Sequence, residues 1–204
     1  TGTTLTADLR LSLSQRAVFN ATLTLDGAGY FYQFPITATG QVLVVNNTFT
    51  ATLQNILLRD FCIGHLSLGS GSAILFGDNT YFSLTRDFTI ASGSPALNFN
   101  GNAEINGNGA TLTIDKSQGI TITGSSKTLT LKNMRLVTST VDALKCLTST
   151  CKIKFQNVDW VVLNGFNFSA GNCDIADTVK ITGDSAAFDG LISWEFSSSG
   201  IMTV

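Results

Sequence analysis

One succession of short motifs occurs twice in this chain, in the same order and at a nearly constant offset. Asp26-Gly27-Ala28-Gly29 reappears as Asn106-Gly107-Asn108-Gly109, 80 on. Thr52-Leu53-Gln54-Asn55-Ile56 reappears as Thr130-Leu131-Lys132-Asn133-Met134, 78 on, and Ala73-Ile74-Leu75-Phe76 as Lys152-Ile153-Lys154-Phe155, 79 on. Asp8-Leu9-Arg10-Leu11 lies over Asp87-Phe88-Thr89-Ile90, and Gly119-Ile120 over Gly200-Ile201, 81 on. Order and offset are kept through five matches, so the chain reads as about two and a half copies of a degenerate unit. The copies are a partial unit over 1–22, full units over 23–102 and 103–189, and a partial unit over 190–204.

Within each copy the local signal is strand. Apolar and polar residues alternate in runs such as Thr22-Leu23-Thr24-Leu25, Thr111-Leu112-Thr113-Ile114 and Ile120-Thr121-Ile122, and Gly, Asn, Asp or Ser separates them. No stretch sustains an apolar stripe of helical period. A chain that breaks off inside a third copy suits a stack of coils better than closed sandwiches, and no Pro-rich or charged linker divides the copies. Runs arrive every ~7 to 10 residues, so three strands fill a coil of ~20 to 25 residues and four coils fill one unit. The expectation is an all-β fold. It is one continuous single-stranded parallel β-helix over residues 1–204, a β-solenoid of roughly nine coils. The right-handed form is favoured because it commonly has irregular coils.

Composition supports this reading and narrows the partners. Charged residues are 13% of the chain, about half the ~25% of an average soluble domain, while 44% are hydrophobic. Disorder is excluded, and the low charge argues against a helical bundle with charge-coated faces. A net charge of −2 gives no electrostatic reason to bind nucleic acid. No apolar run reaches the ~18 to 20 residues of a membrane-spanning helix.

The glycine turns Leu25-Asp26-Gly27-Ala28-Gly29 and Asn106-Gly107-Asn108-Gly109, each followed by a Thr-Leu-x-Asn run, carry a family resemblance. So do the continuations Ala143-Leu144-Lys145-Cys146-Leu147 and Ile153-Lys154-Phe155-Gln156-Asn157-Val158. This cadence resembles the repeat-rich right-handed β-helix surface proteins of Dependentiae-type intracellular bacteria, and more distantly autotransporter-like adhesin passengers. The resemblance implies an exported, non-enzymatic protein of the extracellular space or cell surface.

No catalytic or metal site is expected, and no cofactor. His65 is the sole imidazole and reads as a turn or surface residue; Ser67, Ser70 and Ser72 lack a nucleophile-elbow motif around them. A polysaccharide hydrolase needs two carboxylates across one groove; Asp174, Asp177, Asp184 and Asp189 form the densest acidic group and read as solvated turn residues. Cys151 and Cys173 are separated by about the length of one coil and are the candidate disulfide of an exported protein. Of the fourteen Phe residues, Phe76, Phe88, Phe99, Phe155, Phe166, Phe168 and Phe188 sit in alternating runs and are expected to stack inside the coil. Tyr30-Phe31-Tyr32-Gln33-Phe34 puts four aromatics in five positions, which an alternating strand does not bury together, so it is the candidate contact patch. The uncharged, strand-like ends, with Thr4, Leu5 and Thr6 at one and Ile201, Met202 and Val204 at the other, are candidate stacking edges. The expected role is a subunit of a self-associating filament or surface layer. The alternatives are a monomeric adhesin that contacts cell-surface glycans or other surface proteins and, third, a polysaccharide-active β-helix enzyme.

Overall fold

A computed structural model describes residues 2–11, 15–35, 40–164, 166–167, 170–183, 188–189, 193–196 and 201–203. The architecture is an all-β parallel solenoid. Its first face stacks seven strands: β1 (Gly2–Thr4), β4 (Leu23–Asp26), β7 (Thr50–Gln54), β10 (Ala73–Phe76), β13 (Leu97–Phe99), β16 (Ile120–Ile122) and β18 (Leu144–Cys146). The second face stacks β2 (Leu9–Arg10), β5 (Phe31–Gln33), β8 (Ile56–Arg59), β11 (Thr80–Ser83), β14 (Ala103–Asn106), β17 (Thr128–Thr138), β19 (Lys152–Val162), β21 (Asn172–Thr182) and β23 (Ser193–Phe196). Among the described residues the second face stacks nine strands and the first seven, so the solenoid has about seven turns where roughly nine coils were expected.

The third side is built in two segments. β3 (Ala17–Phe19), β6 (Leu43–Val45) and β9 (Leu66–Leu68) form one. β12 (Phe88–Ile90) and β15 (Thr111–Ile114) begin the other, which continues through the second halves of β17, β19 and β21 to β24 (Ile201–Thr203). A short pair, β20 (Phe166–Asn167) and β22 (Phe188–Asp189), completes the set. Among the described residues no helix is long and apolar enough to cross a membrane.

Alternation explains the core. Every second residue of a strand faces inward, and parallel pairing stacks each on its counterpart one coil away. Leu25, Leu53, Phe76, Phe99, Ile122 and Cys146 form one such column on the first face. Tyr32, Leu58, Phe82, Ile105, Leu131, Phe155 and Ile175 form another on the second. All of these are buried, as are Phe88 and Phe166, so Phe76, Phe88, Phe99, Phe155 and Phe166 fill the interior as expected; Phe168 and the side chain of Phe188 lie outside the described residues.

Corners explain the recurring Asn. To turn from one face to the next, the backbone passes through the left-handed region, where Asn, Asp and Gly are tolerated best. Asn55, Asn133, Asn157 and Asp177 occupy it with φ of 51°, 51°, 54° and 57°. The side-chain amides then stack between rungs: Asn133 donates to Asn106 at 3.2 Å and Asn157 donates to Asn133 at 3.1 Å. Replacing Asn133 by Ala should cost about 1–2 kcal/mol, from left-handed strain plus a lost hydrogen bond. Asn133→Gly, which relieves the strain alone, should cost less; urea midpoints of the two variants separate the contributions.

The recurrence has a different geometric origin from the one expected. Coil length varies: Leu25 pairs with Leu53, 28 on, whereas Phe155 pairs with Ile175, 20 on. Three coils carry Leu53 through Phe76 and Phe99 to Ile122, 69 on. An offset of 78 to 80 is therefore three coils plus one side, not four coils. Leu53 lies on the first face and Leu131, its match, on the second. Four of the five matches make this one-side step; the fifth, Ile120 to Ile201, moves from the first face to the third side. The sequence repeats a corner, carried to the next edge of the solenoid.

Candidate functional site

The repeated corner builds two equivalent depressions on the outer surface. In the first, the turn Asp26-Gly27-Ala28-Gly29 projects beside the next rung's corner at Asn55: Gly29 N donates to Asn55 O at 2.8 Å and Ala28 N to the Asp26 carboxylate at 2.8 Å. Ala28 and Gly29 have φ of 51° and 86°, so the turn needs residues that accept the left-handed region. Gly107-Asn108-Gly109 repeats it beside Asn133, with Gly109 N donating to Asn133 O at 2.8 Å and Asn108 and Gly109 at 50° and 89°. A Cβ on Gly107 would stand 2.9 Å from that same carbonyl oxygen, so the close approach requires glycine.

The first depression, about 340 Å³, has Asn55, Ile56 and Leu57 as its floor, with Ala28 and Gly29 on one side and Asn79 and Tyr81 on the other. The second, about 600 Å³, takes Asn133, Met134 and Arg135 as floor, with Asn108, Gly109, Asn157 and Asp159 around it. Every lining residue of the first has its counterpart in the second, 78 or 80 positions on. The scaffold is the same and the chemistry has diverged: Leu57 and Tyr81 become Arg135 and Asp159. A third depression, about 260 Å³, adjoins the first across Tyr81 and is lined further by Asn102, Glu104, Thr128 and Thr130.

Charges near the first and third depressions are already engaged. Lys132 pairs with Glu104 at 2.8 Å and Lys127 with Asp78 at 2.9 Å. The Ala28 backbone N–H, with the Gln54 and Asn55 amides, holds the Asp26 carboxyl below the usual carboxylate range. The Asn102 backbone N–H, then Lys127, does the same for Asp78. A depressed carboxyl contributes stability that is complete above its unfolded value and is lost as pH falls through the folded one. Urea midpoints should thus hold down to about pH 4 and fall below it. Asp78→Asn should flatten that acid limb.

The other candidates are placed as follows. Tyr32 and Phe34 are buried core residues and leave the contact patch, because strand alternation turns both inward. Phe31 faces out between two guanidinium groups, Arg59 4.2 Å and Arg10 5.4 Å from its ring centre, and Tyr30 is exposed. His65 ends the short 3-10 turn Ile63–His65, so it is the turn residue expected, but it is fully buried and not on the surface. Its ring stacks on Phe34 at 5.1 Å and its Nδ1 accepts the Cys62 N–H at 3.1 Å, so it pins a short 3-10 turn. The Asp60 carboxylate is taken by Gln33 and Thr85. Asp177 is a corner residue that accepts from Gln156 at 2.7 Å, and Asp174 faces Lys154 across the rungs. Asp184 and the side chain of Asp189 lie outside the described residues.

Cys151 and Cys173 are not joined in the structure; they are thiols, as are Cys62 and Cys146, and all four are buried. Cys173 stacks on Ile153, so Cys151 lies two residues ahead of the position a one-coil bridge needs; its thiol donates to the Thr148 carbonyl at 3.0 Å. Burial, followed by hydrogen bonding to Cys151, raises the Cys146 thiol, and burial pushes Cys173 up to about 12. Native protein at pH 8 should therefore react negligibly with a thiol-specific chromogenic reagent. Denaturant without reductant should release all four thiols; two would indicate a disulfide. Among the described residues no group of three or more His, Cys, Asp or Glu is placed to hold a metal ion.

Thr4 and Thr6 are exposed and Leu5 half-buried at the edge of the first coil. Ile201 and Met202 lie in β24, with side chains outside the described set, and Val204 is outside it altogether.

No family model, curated protein or solved structure matches this chain.

Proposed function

We propose that the chain is a non-enzymatic structural solenoid of the extracellular space or cell surface, extended by end-to-end stacking into a filament or layer. One observation carries this reading. Among the described residues β1, β2 and β3 are each paired on one side only, by β4, β5 and β6. Gly2, Thr3 and Thr4 are exposed, and Leu5, Leu9 and Leu11 pack against the core while still partly open. A strand edge with one side available is a template for the coil of another subunit. The non-enzymatic part of the reading is supported by the candidate acid and base groups, since His65, Asp60 and Asp177 are each bound into corners or turns. Size-exclusion chromatography and negative-stain imaging over a concentration series test the proposal. Concentration-dependent polymers that disappear in Leu9→Lys support it; monomers at every concentration overturn it.

A second reading, a monomeric surface adhesin or carbohydrate-binding protein, draws on a different feature: the exposed ring of Tyr81 between two adjoining depressions on the second face.

A further inference from the structure

Tyr81 is 43% exposed, although both its strand neighbours, Thr80 and Phe82, are buried. It projects from the middle of β11, whose backbone groups are engaged by β8 below and β14 above. The surface around it therefore has no free backbone ladder to offer an extended peptide. Side chains alone face a ligand there. They are an aromatic ring, the aliphatic Leu57 one rung away, and the amides and hydroxyls of Asn79, Asn102, Thr128 and Thr130.

The amides are half-used in a way that leaves complementary groups. Asn79 spends its NH₂ on the Asn55 side-chain oxygen Oδ1 at 2.9 Å, which leaves its own side-chain oxygen as acceptor. Asn102 spends its side-chain oxygen on the Thr128 N–H at 2.9 Å, which leaves its NH₂ as donor. A donor and an acceptor beside an aromatic face match a pyranose ring, whose hydroxyls both give and accept hydrogen bonds while its C–H face is apolar. The paired charges Glu104–Lys132 and Asp78–Lys127 leave little to attract an ionic ligand. The first depression, about 340 Å³, falls in the ~300–1,000 Å³ range of small-molecule sites, and the third, which adjoins it, shares Tyr81 and Asn79 with it.

We propose that Tyr81 is the platform of a binding site that spans both depressions and takes a neutral oligosaccharide of at least two rings. This deepens the carbohydrate-binding reading and is independent of end-to-end assembly. The twin depression lacks the platform, because Asp159 stands where Tyr81 does, and serves as an internal control.

The probes are tetrasaccharides of β-1,4-linked glucose, β-1,4-linked N-acetylglucosamine and α-linked mannose, with acidic uronate tetrasaccharides beside them. Binding is read by saturation-transfer NMR and calorimetry on the full chain. At least one neutral probe should bind, and more tightly than its monosaccharide. Tyr81→Ala should weaken it about tenfold or more, Tyr81→Phe should keep it within about threefold, and Asp159→Ala should leave it unchanged. The exposure of Tyr81 keeps the fold intact on substitution, which circular dichroism checks. Binding that survives Tyr81→Ala overturns the site and leaves the carbohydrate-binding reading standing. Binding of no probe overturns both, and binding of acidic probes alone overturns the neutral ligand.

Discussion

Trp160→Ala should be among the most damaging substitutions in the chain, with a loss of about 3–5 kcal/mol. Trp160 is fully buried in β19, stacked on Phe155 at 4.9 Å and edge-on to Phe166 at 4.7 Å. In the register it lies between Leu136 of β17 and Ile181 of β21. Truncation opens a cavity that rungs held at ~4.8 Å spacing close only in part. It also strips the buried Thr138 hydroxyl of the indole N–H that donates to it at 3.0 Å. Trp160→Phe keeps most of the apolar volume and loses that hydrogen bond, so about 1–3 kcal/mol is expected. Because a solenoid is held by nearest-neighbour contacts, the damage should be local. Hydrogen exchange should accelerate in β17, β19 and β21 of Trp160→Ala while β4, β7 and β10 keep their protection. Uniform acceleration along the chain would contradict that expectation.

Alternation is a local property, and it made the interior legible: Leu131, Ile153 and Phe155 face inward where the runs say they should. The corner Asn residues were visible as a motif, yet their role depends on φ, which a sequence does not display. The recurrence was real, but its geometry was not legible, because coils of unequal length drift in phase and only the register reveals the added side. The same drift leaves Cys151 out of step with Cys173. Tyr32 and Phe34 were misplaced because four aromatics in five positions hide where the strand begins; the glycine turn ending at Gly29 sets that phase. The Tyr81 site had a signal of a kind. Tyr81 and Asp159 are separated by the offset of the repeat, but the depression needs three neighbouring rungs to exist and no motif spells it.

Gly101→Ala should be as severe for a reason opposite to the Trp160 cavity. Gly101 lies between β13 and β14, where the backbone turns past Gly77 and Asp78 of the preceding coil. A Cβ at this position would overlap the backbone of both residues, and no flexible side chain is there to give way. Three hydrogen bonds clamp the approach: Asn100 N to Phe76 O at 3.0 Å, Asn79 N to Asn102 O at 2.8 Å, and Asn102 N to the Asp78 carboxylate at 2.7 Å. Relief requires the two rungs to part, which breaks some of these, so about 3 kcal/mol is expected, the upper end for overpacking. Gly93→Ala is the matched control, since nothing lies within 4 Å of a Cβ there. That variant should be neutral or more stable by up to about 1 kcal/mol, through a stiffer unfolded chain. Thermal midpoints of the pair give the test, at ~2–4 °C per kcal/mol for a chain of this size. Equal midpoints would mean that the close approach of the two backbones does not hold the coils in register.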